Sequence, residues 1–385
     1  MKVEHLTWQD SRGWSTAPSL QKATVVIYFA AKRLLEDGNV LKEVRRQYPQ
    51  AILLGCSSGG EIYKGEVQEN TLVITAIEPH EFRVKSAQAA IHKMEDSFAV
   101  GKHLGEALKA PDLKSIFVLS VGSHVIGSDL VKGFFEMIPE HVIVTGGFAA
   151  DMDAQFGQTF VGLDESISDK VIAAVGFYGD SVEVSYGSVG GWDPFGPERV
   201  ISKAENNILY ELDGKPALKL YKEYLGEEAK DLPRSALHFP LNIRPDKASD
   251  HDIVRTIIGV NEEDQSLIFA GDVPQGYVAR LMKGDFNHLI DGAEEAASLA
   301  MKHSSLEENE DQKAVALLVS CIGRKVLMGQ SVADEVEAIE ERFDNRISTI
   351  GYYSYGEIGH HRSTGKCGFH NQTMTITLLS ERTQA

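Results

Sequence analysis

The chain has 385 residues, 43% hydrophobic and 24% charged, with 38 Lys+Arg against 56 Asp+Glu and a formal charge of −18. That length suits two domains of ordinary globular composition. So acidic a chain repels phosphate backbones and anionic membrane surfaces, which argues against nucleic-acid partners. Cys56, Cys321 and Cys367 are far apart, so neither a disulfide framework nor a zinc ribbon is expected. The opening residues lack the basic and apolar regions of a signal peptide. The longest apolar run, 23–31, is about half the ~20 residues of a membrane span. A cytoplasmic protein without membrane insertion is therefore expected.

In chain order, residues 24–30 (TVVIYFA) read as a strand buried on both faces. Helical spacing follows at Val40, Leu41, Val44 and Tyr48, and then a strand at 51–55. The same sentence recurs at 116–122, 130–138 and 142–147, and again at 315–323, 334–343 and 347–351. Between these units, 71–78 and 82–90 are predicted to pair as a hairpin. Segments 159–163, 170–178 and 182–190 are predicted to form a meander. Residues 206–226 read as strand, turn and helix with Pro216 in the helix's first turn, a hand-over between domains at 1–205 and 206–385. A helix at 287–303 precedes an acidic loop at 306–312, read as a solvated charge run.

The second strand of each unit ends in a related phrase: GCSSGGEI at 55–62, GGFAADM at 146–152 and GYYSYGEI at 351–358. This is an internal repeat of uneven period. It predicts an α/β fold with mixed sheets, in two related domains. The turns at 55–61, 146–151 and 351–359 end strands, where α/β sheets place ligand crevices. Tight turns alone would account for the same glycines.

The motif GCSSG matches the nucleophile elbow with Ser57 as nucleophile, but an elbow needs a following helix, and Tyr63–Glu66 leaves little room for one. No base accompanies Cys56, which reads as a buried structural thiol. Glu61 and Glu357 occupy equivalent repeat positions, either bonding the turn's amides or holding the polar end of a ligand. The densest chemistry is 352–373, with His360, His361, His370, Tyr355, Cys367 and Asn371. Zinc-ligand spacing is absent there, and the adjacent His360 and His361 point apart on an extended chain. Haem held by one axial imidazole is neither demanded nor excluded by the sequence.

Taken together, GCSSGGEI, GGFAAD, GWDPFGP (191–197), LDGKPALKLYKEYLG (212–226) and GYYSYGEIG with FHNQTMTITLL (369–379) resemble the FIST proteins, with a FIST N-terminal and a FIST C-terminal sensory domain. The sequence departs at His360-His361, where the family would be expected to carry a proline or a small residue. The resemblance implies a sensor of signal transduction that takes a small ligand and no catalytic role. With no kinase module attached, it implies a separate partner such as a histidine kinase. It also implies haem as cofactor with nitric oxide as effector, by similarity to stand-alone members. The axial candidates are then His370, His361 and His124. The alternative ligand is a small organic molecule such as an amino acid. The residues expected to line its pocket are Cys56, Ser57, Gly59, Glu61, Gly147, Asp151, Tyr355, Glu357, His370 and Asn371. A hydrolase using Ser57 or Cys56 is the remaining alternative.

Overall fold

The computed structural model describes residues 1–36, 38–152, 157–306, 312–344 and 346–382. Strand β1 (Lys2–Gln9) leads into the first of three similar units. It comprises β2 (Val25–Ala31), α1 (Asn39–Gln47), β3 (Ile52–Ser58), the hairpin β4 (Glu61–Tyr63) and β5 (Glu66–Gln68), then β6 (Leu72–Glu78) and β7 (Arg83–Ala90). After α2 (Ser97–Leu108), the second unit comprises β8 (Leu113–Ser120), α3 (Gly127–Met137), β9 (Ile143–Phe148), the hairpin β10 (Val161–Leu163) and β11 (Ser166–Ser168), then β12 (Val171–Tyr178) and β13 (Val182–Val189).

An inserted sheet unit follows. It holds β14 (Trp192–Glu205), β15 (Ile208–Leu212), α4 (Ala217–Leu225), β16 (Leu241–Arg244), β17 (Ile253–Arg255), β18 (Ile257–Asn261), β19 (Ser266–Phe269) and β20 (Val278–Gly284). Helix α5 (Phe286–Lys302) returns the chain to the third unit. That unit comprises β21 (Ala314–Cys321), α6 (Ile322–Met328), α7 (Val332–Arg342), β22 (Ser348–Ser354), the hairpin β23 (Glu357–His360) and β24 (Cys367–His370), then β25 (Met374–Glu381).

Each unit is built on one parallel pair, β2–β3, β8–β9 or β21–β22. Every residue of β2 and of β21 is buried, as an unbroken apolar run requires. The hairpins are exchanged in a ring. The first unit's β4–β5 joins the third unit's β22. The second unit's β10–β11 joins the first unit's β3. The third unit's β23–β24 joins the second unit's β9. The resulting sheets are β11-β10-β3-β2-β6-β1, β24-β23-β9-β8-β12-β7 and β13-β25-β21-β22-β4-β5. One hydrophobic core runs through all three units, whereas the inserted unit packs a core of its own around Ile201, Leu218, Tyr221, Leu241 and Phe269.

The mixed α/β class and the repeated strand–helix–strand units are as the sequence predicts. The predicted hairpin at 71–78 and 82–90 does not form: β6 pairs with β2 and β1, and β7 pairs with β12 of the next unit. Nor do 159–163, 170–178 and 182–190 form a meander; β10, β12 and β13 lie in three different sheets. A short turn between two apolar strands has the same composition whether the chain folds back or crosses to a neighbouring sheet. The expected boundary at 205/206 falls in the turn between β14 and β15, which are hairpin partners. The acidic run lies largely outside the described residues. Among the described residues no helix is long and apolar enough to cross a membrane.

Candidate functional site

The repeated phrase has a common structural basis. Its first glycine is Gly55, Gly146 or Gly351, paired across the parallel strands with Tyr28, Val118 or Leu318. A Cβ at these glycines would stand 2.3 Å from Tyr28 O, 1.9 Å from Val118 O and 2.1 Å from Leu318 O. Each unit thus needs a residue without a side chain at one register position.

The later positions hold the turns. The Ser58 hydroxyl donates to Glu61 Oε1, while the Thr71 amide and hydroxyl donate to Glu61 Oε2 at 3.0 and 2.7 Å. In the third unit Ser354 Oγ donates to Glu357 Oε1 at 2.5 Å, and the Thr373 amide and hydroxyl donate to Oε2 at 3.1 and 3.0 Å. Burial pushes the two carboxyls up, Glu61 to about 7 and Glu357 to about 8.

The other expected pocket residues sit in this packed centre. Cys56 is fully buried, and burial raises its thiol far above the usual range. Ser57 is buried; its Oγ accepts the Phe160 amide at 3.0 Å, and strand β4 follows where an elbow needs a helix. The Gly59 carbonyl accepts Lys325 Nζ at 2.8 Å. Gly147 pairs with Glu357 across β9 and β23. Asp151 is buried. Asn371 donates to His370 O at 3.1 Å and accepts the Thr256 amide at 3.4 Å. Tyr355 lines a void of about 20 Å³ beside Cys321. His124 is exposed. Of all the expected residues, His370 and His361 are the two brought together at an open cleft.

That cleft, of about 380 Å³, lies between the inserted sheet and the third unit. Its walls include Trp192, Asp193, Asn242, Asp252, Met282, His288, Asp291, Glu295, His361, Arg362 and His370. Trp192 is fixed by its indole N–H, which donates to Gln372 O at 2.9 Å. Several polar groups are paired: His288 Nδ1 with Asp193 at 2.6 Å, His361 Nε2 with Asp252 at 3.4 Å, and Arg362 with Glu295 at 3.5 Å. The His288 pKa is raised by its hydrogen bond to Asp193, and the Asp252 carboxyl is held at about 2 by its hydrogen bond to His361. His361 Nδ1 also accepts the amides of Ser363 and Thr364, each at 3.3 Å.

His370 is different. It is buried, and burial pushes its pKa down to about 3, so the ring is neutral. Its Nε2 stands 3.2 Å from Gly359 O. A carbonyl only accepts, so this network assigns the proton to Nε2 and leaves Nδ1 as a bare acceptor.

A second cavity, of about 540 Å³, lies on the other side of the histidines. The His251 and His361 rings are 4.8 Å apart, and those of His361 and His370 are 6.5 Å apart. The second cavity is walled by Val131, Phe135, Ile243, Ile253, Tyr277 and Phe369, with His251, Lys132, Lys366 and Arg255 among its polar groups. The buried Arg255 guanidinium ties the inserted unit to the third unit by donating to Phe369 O at 2.9 Å and Asp272 Oδ1 at 3.0 Å.

Haem needs an imidazole facing an apolar slot. His370 and His361 face the acidic cleft instead, and His124 faces solvent, so the three expected axial candidates do not fit a haem pocket. The apolar lining lies one layer away, at His251. Among the described residues no group of three or more His, Cys, Asp or Glu side chains is arranged to hold a metal ion.

Sequence reasoning missed Trp192, Asp193, Asp252, Asp291 and Arg362. Trp192 and Asp193 sit in the GWDPFGP phrase, which carries no ligand-binding signature of its own, and Asp252, Asp291 and Arg362 follow at no regular spacing up to 170 positions later. The polar, Pro-containing segment 226–265 supplies Asn242, His251 and Asp252 to the two cavities.

An uncharacterised protein of Methanocaldococcus jannaschii is 24% identical over 376 residues, covering 87% of this chain and 70% of that protein. Among solved structures, a cyanuric acid hydrolase from A. caulinodans aligns over 100% of this chain and 99% of its own, with 9% identity and a TM-score of 0.36. A chorismatase aligns over 98% of each chain, with 9% identity and a TM-score of 0.34. Likenesses at that level say nothing about this chain's activity. Residues 24–215 match the FIST N domain and residues 217–360 the FIST C domain. The chain therefore belongs to the FIST family of sensory domains in signal transduction.

Proposed function

We propose that this chain is a non-catalytic sensor whose small organic ligand carries an amino group and binds the cleft between the inserted sheet and the third unit. An amino acid is the simplest such ligand. The observation that carries this reading is the cleft's charge. Asp193, Asp252, Asp291 and Glu295 face it against the guanidinium of Arg362 and the His288 ring paired to Asp193, so a cation is favoured, and a ligand carboxylate would share Arg362 with Glu295. Because the walls come from two separately packed bodies, occupancy biases how they close. Closure alters the surface offered to a partner such as a histidine kinase, and by linkage the partner must tighten or loosen the ligand by the same factor. Calorimetric titration of the standard amino acids tests this. Binding of at least one, weakened tenfold or more in Asp291→Asn, supports it. Binding unaffected by that variant, or none at all, overturns the cleft as the sensory site.

A second reading is favoured by the other cavity. Its apolar walls, its two lysines for propionates and His251, whose Nδ1 meets Thr364 Oγ1 at 3.1 Å, suit haem, which would supply an iron that binds nitric oxide. A visible spectrum of the haem-treated protein decides this. A Soret band that shifts with nitric oxide and is lost in His251→Ala supports it, and a spectrum like that of free haem rejects it.

A further inference from the structure

The acidic cleft does not end at Arg362. It runs into an adjoining groove of about 440 Å³, and the two share Trp192, Asn242, Asp252, Met282 and Arg362. The groove's floor is one face of the inserted sheet. Val278, Arg280 and Met282 alternate onto that face of β20, and Asn242 pairs with Arg280 from β16. From Gly284, paired with Trp192 at the cleft, to Arg280 is about 13 Å at the rise of a strand. That length matches about four residues of extended chain.

The two ends differ in charge. Beyond Arg362, whose partner is Glu295, the cleft has Asp193 and Asp291, with His288 paired to Asp193. The groove adds Arg244 and Arg280 together with the carboxylates of Glu198 and Asp250, so it is balanced where the cleft is acidic. Arg244 is paired with Glu198. Arg280 donates its Nε to the Gly196 carbonyl and forms no ion pair among the described residues. Independently of these charges, His370 Nδ1 is an acceptor without a described donor in a side chain that is more than nine-tenths buried. A ligand N–H at the acidic end supplies that donor.

Resting on the amino-group reading above, we infer that the ligand is a short peptide with a free N-terminus. Its ammonium lies among Asp193, Asp291 and His370. Its chain runs extended over β20, and its C-terminal carboxylate lies at Arg280. A single amino acid fills only about the first quarter of this path.

The test uses the full chain with tetra-alanine, N-acetyl-tetra-alanine, tetra-alanine amide and free alanine, read by calorimetry and by Trp192 fluorescence. Tetra-alanine is expected to bind at least tenfold more tightly than alanine. N-acetylation should abolish binding, and amidation or Arg280→Gln should weaken the peptide severalfold while leaving alanine unchanged. Asp291→Asn should weaken both. Equal binding of alanine and tetra-alanine, with Asp291 dependence, would overturn the peptide inference and leave the amino-acid reading standing. Undiminished binding of the acetylated peptide, or binding of none of the four probes, would overturn it as well. A melting temperature within a degree or two of the parent confirms that each variant is folded.

Discussion

Glu61 and Glu357 close the same latch in two units. Each accepts the hydroxyl of the serine three residues before it and both the amide and the hydroxyl of a threonine farther along the chain. The threonine immediately precedes the strand that returns to the parent sheet, Thr71 before β6 and Thr373 before β25. The glutamate thus fastens the point where the exchanged hairpin leaves one sheet and the chain comes back.

The pH dependence of the latch follows from burial. Both carboxyls are raised in the fold, from the ordinary 4.5 to about 7 and about 8. Between those values the native state binds more protons than the unfolded state, so stability falls as pH rises, from about 4.5 until the folded pKa is passed. Melts from pH 5 to 8.5 should show this fall. Glutamine copies the protonated acid, with its amide donating to the serine and its oxygen accepting from the threonine. The Glu61→Gln/Glu357→Gln variant should therefore be flatter over that range. An identical slope in parent and variant counts against the assignment.

The three register glycines should respond alike. Gly55→Ala, Gly146→Ala and Gly351→Ala each drive a methyl into a partner-strand carbonyl, at a cost of at least about 1–3 kcal/mol. Gly146→Ala should be worst because its φ of +137° is also unfavourable for a side chain. Gly259→Ala is the control: its nearest neighbour would be Ile268 at 3.5 Å, and its effect should stay within about 0.5 kcal/mol. Urea midpoints measure all four.

Arg324 and Glu335 form an ion pair of 2.6 Å with both side chains at 0% exposure. Arg324 also donates to Leu289 O at 2.7 Å and to Gly190 O, and Glu335 accepts from Ser320 and Tyr353. This network binds α6 and α7 to the loop before β14 and to α5. Glu335→Ala leaves a buried, unpaired guanidinium and should cost about 3–5 kcal/mol in chemical denaturation. A loss under 1 kcal/mol would mean that water reaches the site.

Thiol reactivity separates the cysteines. Burial raises all three thiols, but Cys367 is only half-buried and lines the second cavity. Native protein treated with a disulfide reagent should label at Cys367 first, with Cys56 and Cys321 reacting only on unfolding. Fast labelling of Cys56 would revive it as a nucleophile.

The parallel pairs were legible because each is a continuous apolar run with a helix between its strands, and the repeat was legible because one register position admits only glycine. Ser57, Cys56 and Glu61 drew attention by their motif, yet the motif's job is to hold the turn. The cleft was illegible for the opposite reason. Asp193, Asp252, Asp291 and Arg362 obey no spacing, since a pocket between two bodies needs its residues near one another only after folding.

The sequence by itself determined the units, their order and their glycine turns, because burial period, turn chemistry and the single side-chain-free position act over a few neighbouring residues. The tertiary structure decided which sheet each hairpin enters and where the cavities lie. A strand's free edge is satisfied equally well by its own chain neighbour or by a unit 200 residues away. Only the closing of the whole ring, with every hairpin passed to another unit and the inserted sheet laid against the third, selects between them.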